Sequence, residues 1–381
     1  MIDPIGEQMK SNSFRPPNRI LMGPGPSNVH PRVLAAMALP TIGHLDPAFI
    51  DLMDDIKSLL RDTFLTENEV TFPVSGPGSV GMETAVVNMV EPRKKVVVCV
   101  NGVFGGRIKE MVQRYGGIPV VVDTPWGEPV DPKKLEAALT KNRDAKVVAF
   151  VHAETSTGAR SDIKELARIA HKHDCLTIVD TVTSLGGIPV KVDEWELDVV
   201  YSGSQKCLSS PPGLSPVTFS DRAIGELKKR KTKVQSWFMD VGLVLSYWGG
   251  AKRTYHHTAP INALYGLHEA LRLLHEEGLD NAWARHQRNS EMFREGLEKL
   301  RLETFVNGDA SLPELTIVVV PSDVDEAGAR NHLLEKYNIE IGAGLGPLAG
   351  KIWRIGLMGY TSNEKNVNLC LQALEDILKK D

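Results

Sequence analysis

Short apolar runs alternate with amphipathic stretches between residues 47 and 180, and this alternation constrains the fold of the 381-residue chain more than any other feature. In 47–64 the apolar positions Phe49, Leu52, Met53, Ile56, Leu59 and Leu60 recur at helical spacing. β-rich runs follow at 69–74, 95–100, 118–122, 146–152 and 175–180, separated by helical patterns at 80–90, 105–115, 132–139 and 161–173. The runs are short and apolar on both faces, as strands are when helices cover both sides of a mainly parallel sheet. The expected class is therefore α/β. In such sheets ligands gather at the carboxyl ends of the strands, so the loops there matter most.

Beyond residue 180 the pattern changes. The run Asp198-Val199-Val200-Tyr201 predicts a strand that delivers Ser202-Gly203-Ser204-Gln205-Lys206 to a rigid turn ending in Pro211-Pro212-Gly213. An aromatic, glycine-rich region over 236–255 precedes a helix over 261–277. A new unit then begins with a helix from 281, followed by a strand over 315–320, a helix over 325–337, a loop over 342–350, a strand over 352–357 and a terminal helix. These patterns predict an N-terminal arm over 1–20, a large domain over 21–279 and a smaller C-terminal α+β domain over 280–381. The Gly23-Pro24-Gly25-Pro26 segment lacks the amide donors of a phosphate loop and reads as a bend.

A net charge of -4 and a pI near 6.3 give no basic surface for nucleic acid or for a membrane. No apolar stretch approaches the length of a membrane span, and Asp3 and Glu7 argue against a signal or transit peptide. The four cysteines Cys99, Cys175, Cys207 and Cys370 show no C-x-x-C spacing and read as reduced core thiols, which points to a cytoplasmic location.

Four loop features fall at the carboxyl ends of predicted strands: the Gly78-Ser79 turn before a helix, the hydroxyl-rich run from His152 to Gly158, Asp180, and Lys206. Each has an ordinary structural alternative, such as a helix cap for Asp180 or a surface amine for Lys206. Taken together they match what pyridoxal phosphate requires: an amine for the aldehyde, a carboxylate for the ring nitrogen, a plate against the ring and donors for the phosphate. Lysine suits the first task because burial lowers its pKa readily. The adjacent pair His256-His257 is expected to point apart, and no metal site is expected.

The runs Val179-Asp180-Thr181-Val182-Thr183-Ser184-Leu185-Gly186-Gly187, Tyr201-Ser202-Gly203-Ser204-Gln205-Lys206, Pro211-Pro212-Gly213 and Tyr255-His256-His257-Thr258 resemble class V aminotransferases of the alanine–glyoxylate/serine–pyruvate group. The resemblance runs from about Leu21 to the last helix and implies the type I fold of pyridoxal-phosphate-dependent transferases, the aspartate-aminotransferase-like architecture. It implies that Lys206 forms a Schiff base with the cofactor and shuttles a proton, and that Asp180 pairs with the ring nitrogen. By the same resemblance Thr155 bonds the ring 3-oxygen, Phe104 stacks on the ring, and Gly78, Ser79 and Gln205 hold the phosphate. Tyr255 and Thr258 would join them from the other subunit of a homodimer, and Arg354 would clamp the substrate carboxylate. The chain departs from relatives of the animal enzymes at Phe104, where tryptophan is common, and at Ser79, where histidine is common. Gly43 and His44 would lie near the substrate mouth.

The activity so implied is ping-pong transamination through pyridoxamine phosphate, from alanine or serine to a small 2-oxo acid such as glyoxylate or pyruvate. Alternatives on the same fold are a pyridoxamine–pyruvate aminotransferase and a cysteine desulfurase. The second would need a reactive cysteine on a mobile loop near Arg354, and residues 342–350 contain none. A non-catalytic binding protein is a third possibility, disfavoured by the intact set of Asp180, Thr155, Lys206 and Arg354.

Overall fold

The computed structural model describes residues 13–250 and 253–379. The chain enters through β1 (Ile20–Leu21), α1 (Pro31–Met37) and α2 (Pro47–Phe64). It then alternates as β2 (Val70–Ser75), α3 (Gly78–Met89), β3 (Lys95–Val100), α4 (Val103–Arg114), β4 (Ile118–Asp123), α5 (Pro132–Lys141) and β5 (Val147–Val151). A two-stranded ribbon, β6 (Ala153–Glu154) and β7 (Ala159–Arg160), leads into α6 (Ile163–Lys172), β8 (Leu176–Asp180), β9 (Val199–Tyr201) and β10 (Leu214–Phe219). Helices α7 (Asp221–Lys228), α8 (Val241–Trp248), α9 (Ile261–Glu277) and α10 (Leu279–Lys299) follow. The last elements are β11 (Leu315–Val319), α11 (Glu326–Tyr337), β12 (Ile339–Glu340), β13 (Gly342–Ala343), β14 (Ile352–Gly356) and α12 (Glu364–Leu378). The expected arm falls largely on residues outside those described.

Local chemistry explains the long elements. Asp46 caps α2 by accepting from Ala48 N, Pro47 starts it, and Phe49, Met53, Ile56, Leu60 and Phe64 form its buried stripe. Strand β5 is buried along its whole length, as the apolar run required.

The central sheet has seven strands in the order β2-β10-β9-β8-β5-β3-β4. The ladders β3–β4, β3–β5, β5–β8 and β8–β9 are parallel, whereas β10 is antiparallel to both its neighbours. Strand β10 is absent from the sequence-based expectation. Pro216 sits inside β10, where proline is disfavoured. Its register partner across the ladder is Pro73, so neither proline forfeits a bond to the other strand. On the opposite side the Ser202 carbonyl accepts from Ser215 Oγ at 2.5 Å.

A separate antiparallel sheet, β11-β14-β13, packs with α10, α11 and α12 around Phe293, Leu333, Trp353, Ile355, Val367 and Leu374. The segment expected to be the 342–350 loop contains β13 and a short 3-10 turn, Gly346–Leu348. Strand β1 pairs in parallel with β12 and carries Met22 into the same cluster. Between the two sheets, Ala153, Cys207, Leu312, Leu315 and Met358 share a third cluster.

Glu314 lies at this third cluster. It is fully buried, and neither carboxyl oxygen has a hydrogen-bond partner among the described residues. Burial pushes its pKa up to about 7. A carboxyl whose folded-state pKa exceeds its unfolded value contributes stability that is present below the unfolded pKa, 4.5, and lost as pH rises through about 7. Glu314→Gln should therefore melt higher than the parent at about pH 8, by up to about 3 kcal/mol, with the difference closing near pH 4.5. Thermal melts across that range test this, and a pH-independent difference would count against it.

Candidate active site

Six strands of the central sheet, all but β10, run the same way, and their carboxyl ends bring distant parts of the chain to one cavity of about 200 Å³. Its wall includes Gly78 and Ser79 after β2, Phe104 after β3, Thr155 after β5, Asp180 at the end of β8, and Gln205 and Lys206 after β9. A larger cleft of about 410 Å³ opens at the amino ends of the strands. It holds none of the expected residues, and its charges pair with one another, as Lys146 with Asp174 at 2.7 Å and Lys95 with Asp144 at 3.0 Å. The smaller cavity carries the chemistry.

Lys206 is buried, and its Nζ hydrogen-bonds the Pro24 carbonyl. Burial, then the charge of Arg354, lowers its pKa to about 8. The 23–26 bend thus lies directly against this lysine, a placement that a local reading could not supply. Ser27 reinforces it, donating from N to Gln205 O at 2.9 Å and from Oγ to Lys206 O at 2.7 Å. Gly25 has φ +100, and a Cβ there would stand 2.5 Å from Lys206 Nζ and 2.7 Å from Cε. Gly25→Ala should displace the lysine and cost at least about 10-fold in activity and cofactor uptake while leaving the far-UV circular dichroism unchanged. An unchanged turnover rate would remove Gly25 from the site.

Asp180 is 3% exposed and accepts from Val182 N at Oδ1 and from Tyr201 OH at Oδ2, both at 2.9 Å. Burial outweighs these bonds and pushes its pKa up to about 7. A cation placed beside it would restore the carboxylate. Arg354, on β14, donates from Nε to Ala343 O at 2.6 Å and from Nη1 to Thr155 O at 3.4 Å, which aims the guanidinium at the loop carrying Thr155. Burial lowers its pKa to about 10, so it remains charged at neutral pH.

Glu154 was passed over at the sequence level, although it sits inside the hydroxyl-rich run. Its Oε2 accepts from Phe104 N at 3.0 Å and Gly105 N at 3.2 Å, at the start of α4, which has no side-chain cap of its own. Its Oε1 accepts from Ser156 N at 3.1 Å and Ser156 Oγ at 2.5 Å. One buried carboxylate therefore ties the turn carrying Phe104 to the loop carrying Thr155. Gly102 permits the approach, since a Cβ there would lie 2.5 Å from Glu154 Cδ. A carboxylate facing a glycine-started helix is a non-local pairing, and no signal in the sequence joins the two.

The residues present fit pyridoxal phosphate. Helix α3 begins after Pro77 without a side-chain cap, which leaves amide donors of its first turn for an anion. Gln205 Oε1 is buried with no partner among the described residues, so the amide group, whose NH2 can donate to an anion, lacks full satisfaction from the protein alone. The remaining expected residues gather elsewhere. His44 lies 5.1 Å from the Tyr255 ring, and Tyr255 OH meets Thr258 Oγ1 at 3.4 Å. Gly43, His44, Tyr255 and Thr258 are not in the wall of the Lys206 cavity within one chain. His256 and His257 do not point apart: their rings meet edge to face with the Nδ1 atoms 2.9 Å apart. Among the described residues no cluster of three or more His, Cys, Asp or Glu forms around them.

Comparison with known proteins agrees with this geometry. The model of the family "Aminotransferase class-V" matches residues 21–366. The alanine–glyoxylate aminotransferase of Drosophila melanogaster is 40% identical over 95% of this chain and 93% of its own length. The (S)-ureidoglycine–glyoxylate transaminase of Bacillus subtilis is 36% identical over 95% and 91%. A crystal structure of an alanine–glyoxylate aminotransferase from Nostoc sp. superposes with a TM-score of 0.94 at 48% identity, covering 97% of each chain. The two alternatives are more distant: a pyridoxamine–pyruvate aminotransferase at 26% identity, and a cysteine desulfurase at 14%, a level that shows the fold alone.

Proposed function

The chain belongs to the class V aminotransferases, and from that premise we propose that it transfers the amino group of alanine or serine to glyoxylate or pyruvate. The convergence of Lys206, Asp180, Thr155 and the uncapped start of α3 on one cavity carries this reading. Glyoxylate is the better supported acceptor, because the similar proteins differ in the amino donor of their names and share glyoxylate.

Class V aminotransferases of this kind use pyridoxal 5'-phosphate, which when bound supplies an aldehyde for the substrate amine and a ring that takes up electron density. Lys206 Nζ is the amine that would hold the aldehyde of the group, and the same nitrogen would move the proton at the substrate Cα. Its lowered pKa keeps a usable fraction of neutral amine at physiological pH. Asp180 holds positive charge at the ring nitrogen, oriented by Tyr201 OH and Val182 N. Thr155 would offer its hydroxyl to the ring, and Phe104, fixed through Glu154, would pack against it. Gly78, Ser79 and Gln205 would hold the phosphate. Arg354 clamps the substrate carboxylate with the part of its fork that Ala343 and Thr155 leave free.

The functional unit we propose is a homodimer. Tyr255 and Thr258 are exposed and stand apart from their own chain's cavity, which supports a part for them in the phosphate site of a second copy. Gly43 and His44, on the same face, would border the substrate mouth. The four buried, unpaired cysteines suit a reducing, cytoplasmic setting, and no helix among the described residues is long and apolar enough to cross a membrane.

Half-reactions test the proposal. Alanine or serine added alone should bleach the visible absorption of the yellow enzyme, glyoxylate added afterwards should restore it, and steady-state double-reciprocal lines should be parallel. Intersecting lines, or no bleaching with either donor, would overturn it.

A further inference from the structure

We propose that Arg107 is an anion-binding residue of this cavity, the side chain whose positive charge balances a phosphate monoester seated at Gly78 and Ser79. The inference rests on the reading of that turn as the phosphate seat and adds to it a residue that the motifs do not include.

A phosphate monoester brings a charge of roughly -1.5 to -2 at neutral pH. The donors at the turn are neutral, and a helix N-terminus contributes only about half a unit of positive charge. Pro77, at the mouth of the turn, offers no amide at all. Among the residues lining the cavity, three are ionisable: Asp180, Lys206 and Arg107. Asp180 adds negative charge, and Lys206 is committed to the aldehyde. Arg107 is the cation left over.

Its surroundings agree. Arg107 stands one turn along α4 from Phe104, with its guanidinium carbon 4.9 Å from the centre of the Phe104 ring. It forms no hydrogen bond or ion pair with any described residue, and it is exposed to the cavity mouth. The acids that might have neutralised it are engaged elsewhere: Glu110 pairs with Arg114 at 2.8 Å, and Glu83 accepts from Tyr115 OH at 3.3 Å. An arginine parked on an aromatic face, free of protein partners and with five donors in a planar fork, is ready to swing onto phosphate oxygens.

Pyridoxal and pyridoxal phosphate share the ring and the aldehyde and differ only in the phosphate, so paired binding measurements isolate the effect. Full-length protein stripped of cofactor would be titrated with each, following the visible absorption, for the parent, Arg107→Ala and Arg107→Lys. Arg107→Ala should weaken pyridoxal phosphate by about 10- to 100-fold and leave pyridoxal within about 2-fold, and Arg107→Lys should recover much of the loss. Inorganic phosphate should compete with pyridoxal phosphate in the parent and about 10-fold less effectively in Arg107→Ala. Equal weakening of both ligands, or of neither, would overturn the role of Arg107. A parent that binds both ligands equally well would instead overturn the phosphate seat itself.

Discussion

Lys206→Ala should lower transamination by about 10⁴-fold or more, the loss expected when one group serves, as proposed for Lys206, both as nucleophile and as general base. The surroundings of the amine suit both proposed tasks. Burial, followed by the Arg354 charge, brings the amine to about 8 from 10.5, so roughly one molecule in ten is neutral at pH 7 rather than about one in several thousand. The same burial places Nζ among Pro24, Gly25, Asp180 and Thr155 and away from bulk water, where proton transfer is specific to the bound substrate. Among the described residues the side chain's hydrogen bond goes to the Pro24 carbonyl, and the variant should fold with unchanged circular dichroism. Borohydride treatment followed by peptide mapping checks the assignment: the parent should retain label on the Lys206 peptide and the variant should not. Label on that peptide in the variant, or residual activity above about one percent, would move the nucleophile elsewhere.

Most of the central sheet could be read from the sequence because β3, β5 and β8 are apolar on both faces, and that pattern depends on the strand alone. Strand β10 escaped because Pro216 argues against a strand unless one knows that Pro73 lies opposite it. The site divides in the same way. Asp180 ends an apolar strand and Lys206 sits in the turn that follows one, so position along the chain already points them at the ligand edge. The parts that escaped are pairings across long stretches of chain: Pro24 with Lys206, and Glu154 with the first turn of α4. Gly43, His44, Tyr255 and Thr258 lie outside the wall of the cavity of their own chain, and only the proposed homodimer would give them a part in it.

Asp180→Asn should be the next most damaging change, lowering the rate by about 10- to 1,000-fold. The size follows from the task. A carboxylate beside a ring nitrogen raises that nitrogen's pKa by roughly 1 to 3 units, and each unit of protonation lost is a factor of ten in the population able to withdraw electrons. Asparagine keeps the shape of the side chain: its Oδ1 can still accept from Val182 N, and its amide nitrogen can donate to the Tyr201 hydroxyl in place of the bond that Asp180 Oδ2 accepts, so the loss reports charge more than packing. Without a bound cation, burial holds Asp180 near 7, which means that the carboxylate and the positive ring stabilise each other when both are present. Binding of the cofactor should therefore release a proton from the Asp180 site or move one onto the ring nitrogen, and the affinity of the parent should change with pH around 7 in a way that the asparagine variant does not share. Tyr201→Phe removes one hydrogen bond and leaves the charge, so its effect should be smaller, about 10-fold at most. If Tyr201→Phe were as damaging as Asp180→Asn, orientation of the carboxyl group rather than its charge would be the contribution of Asp180.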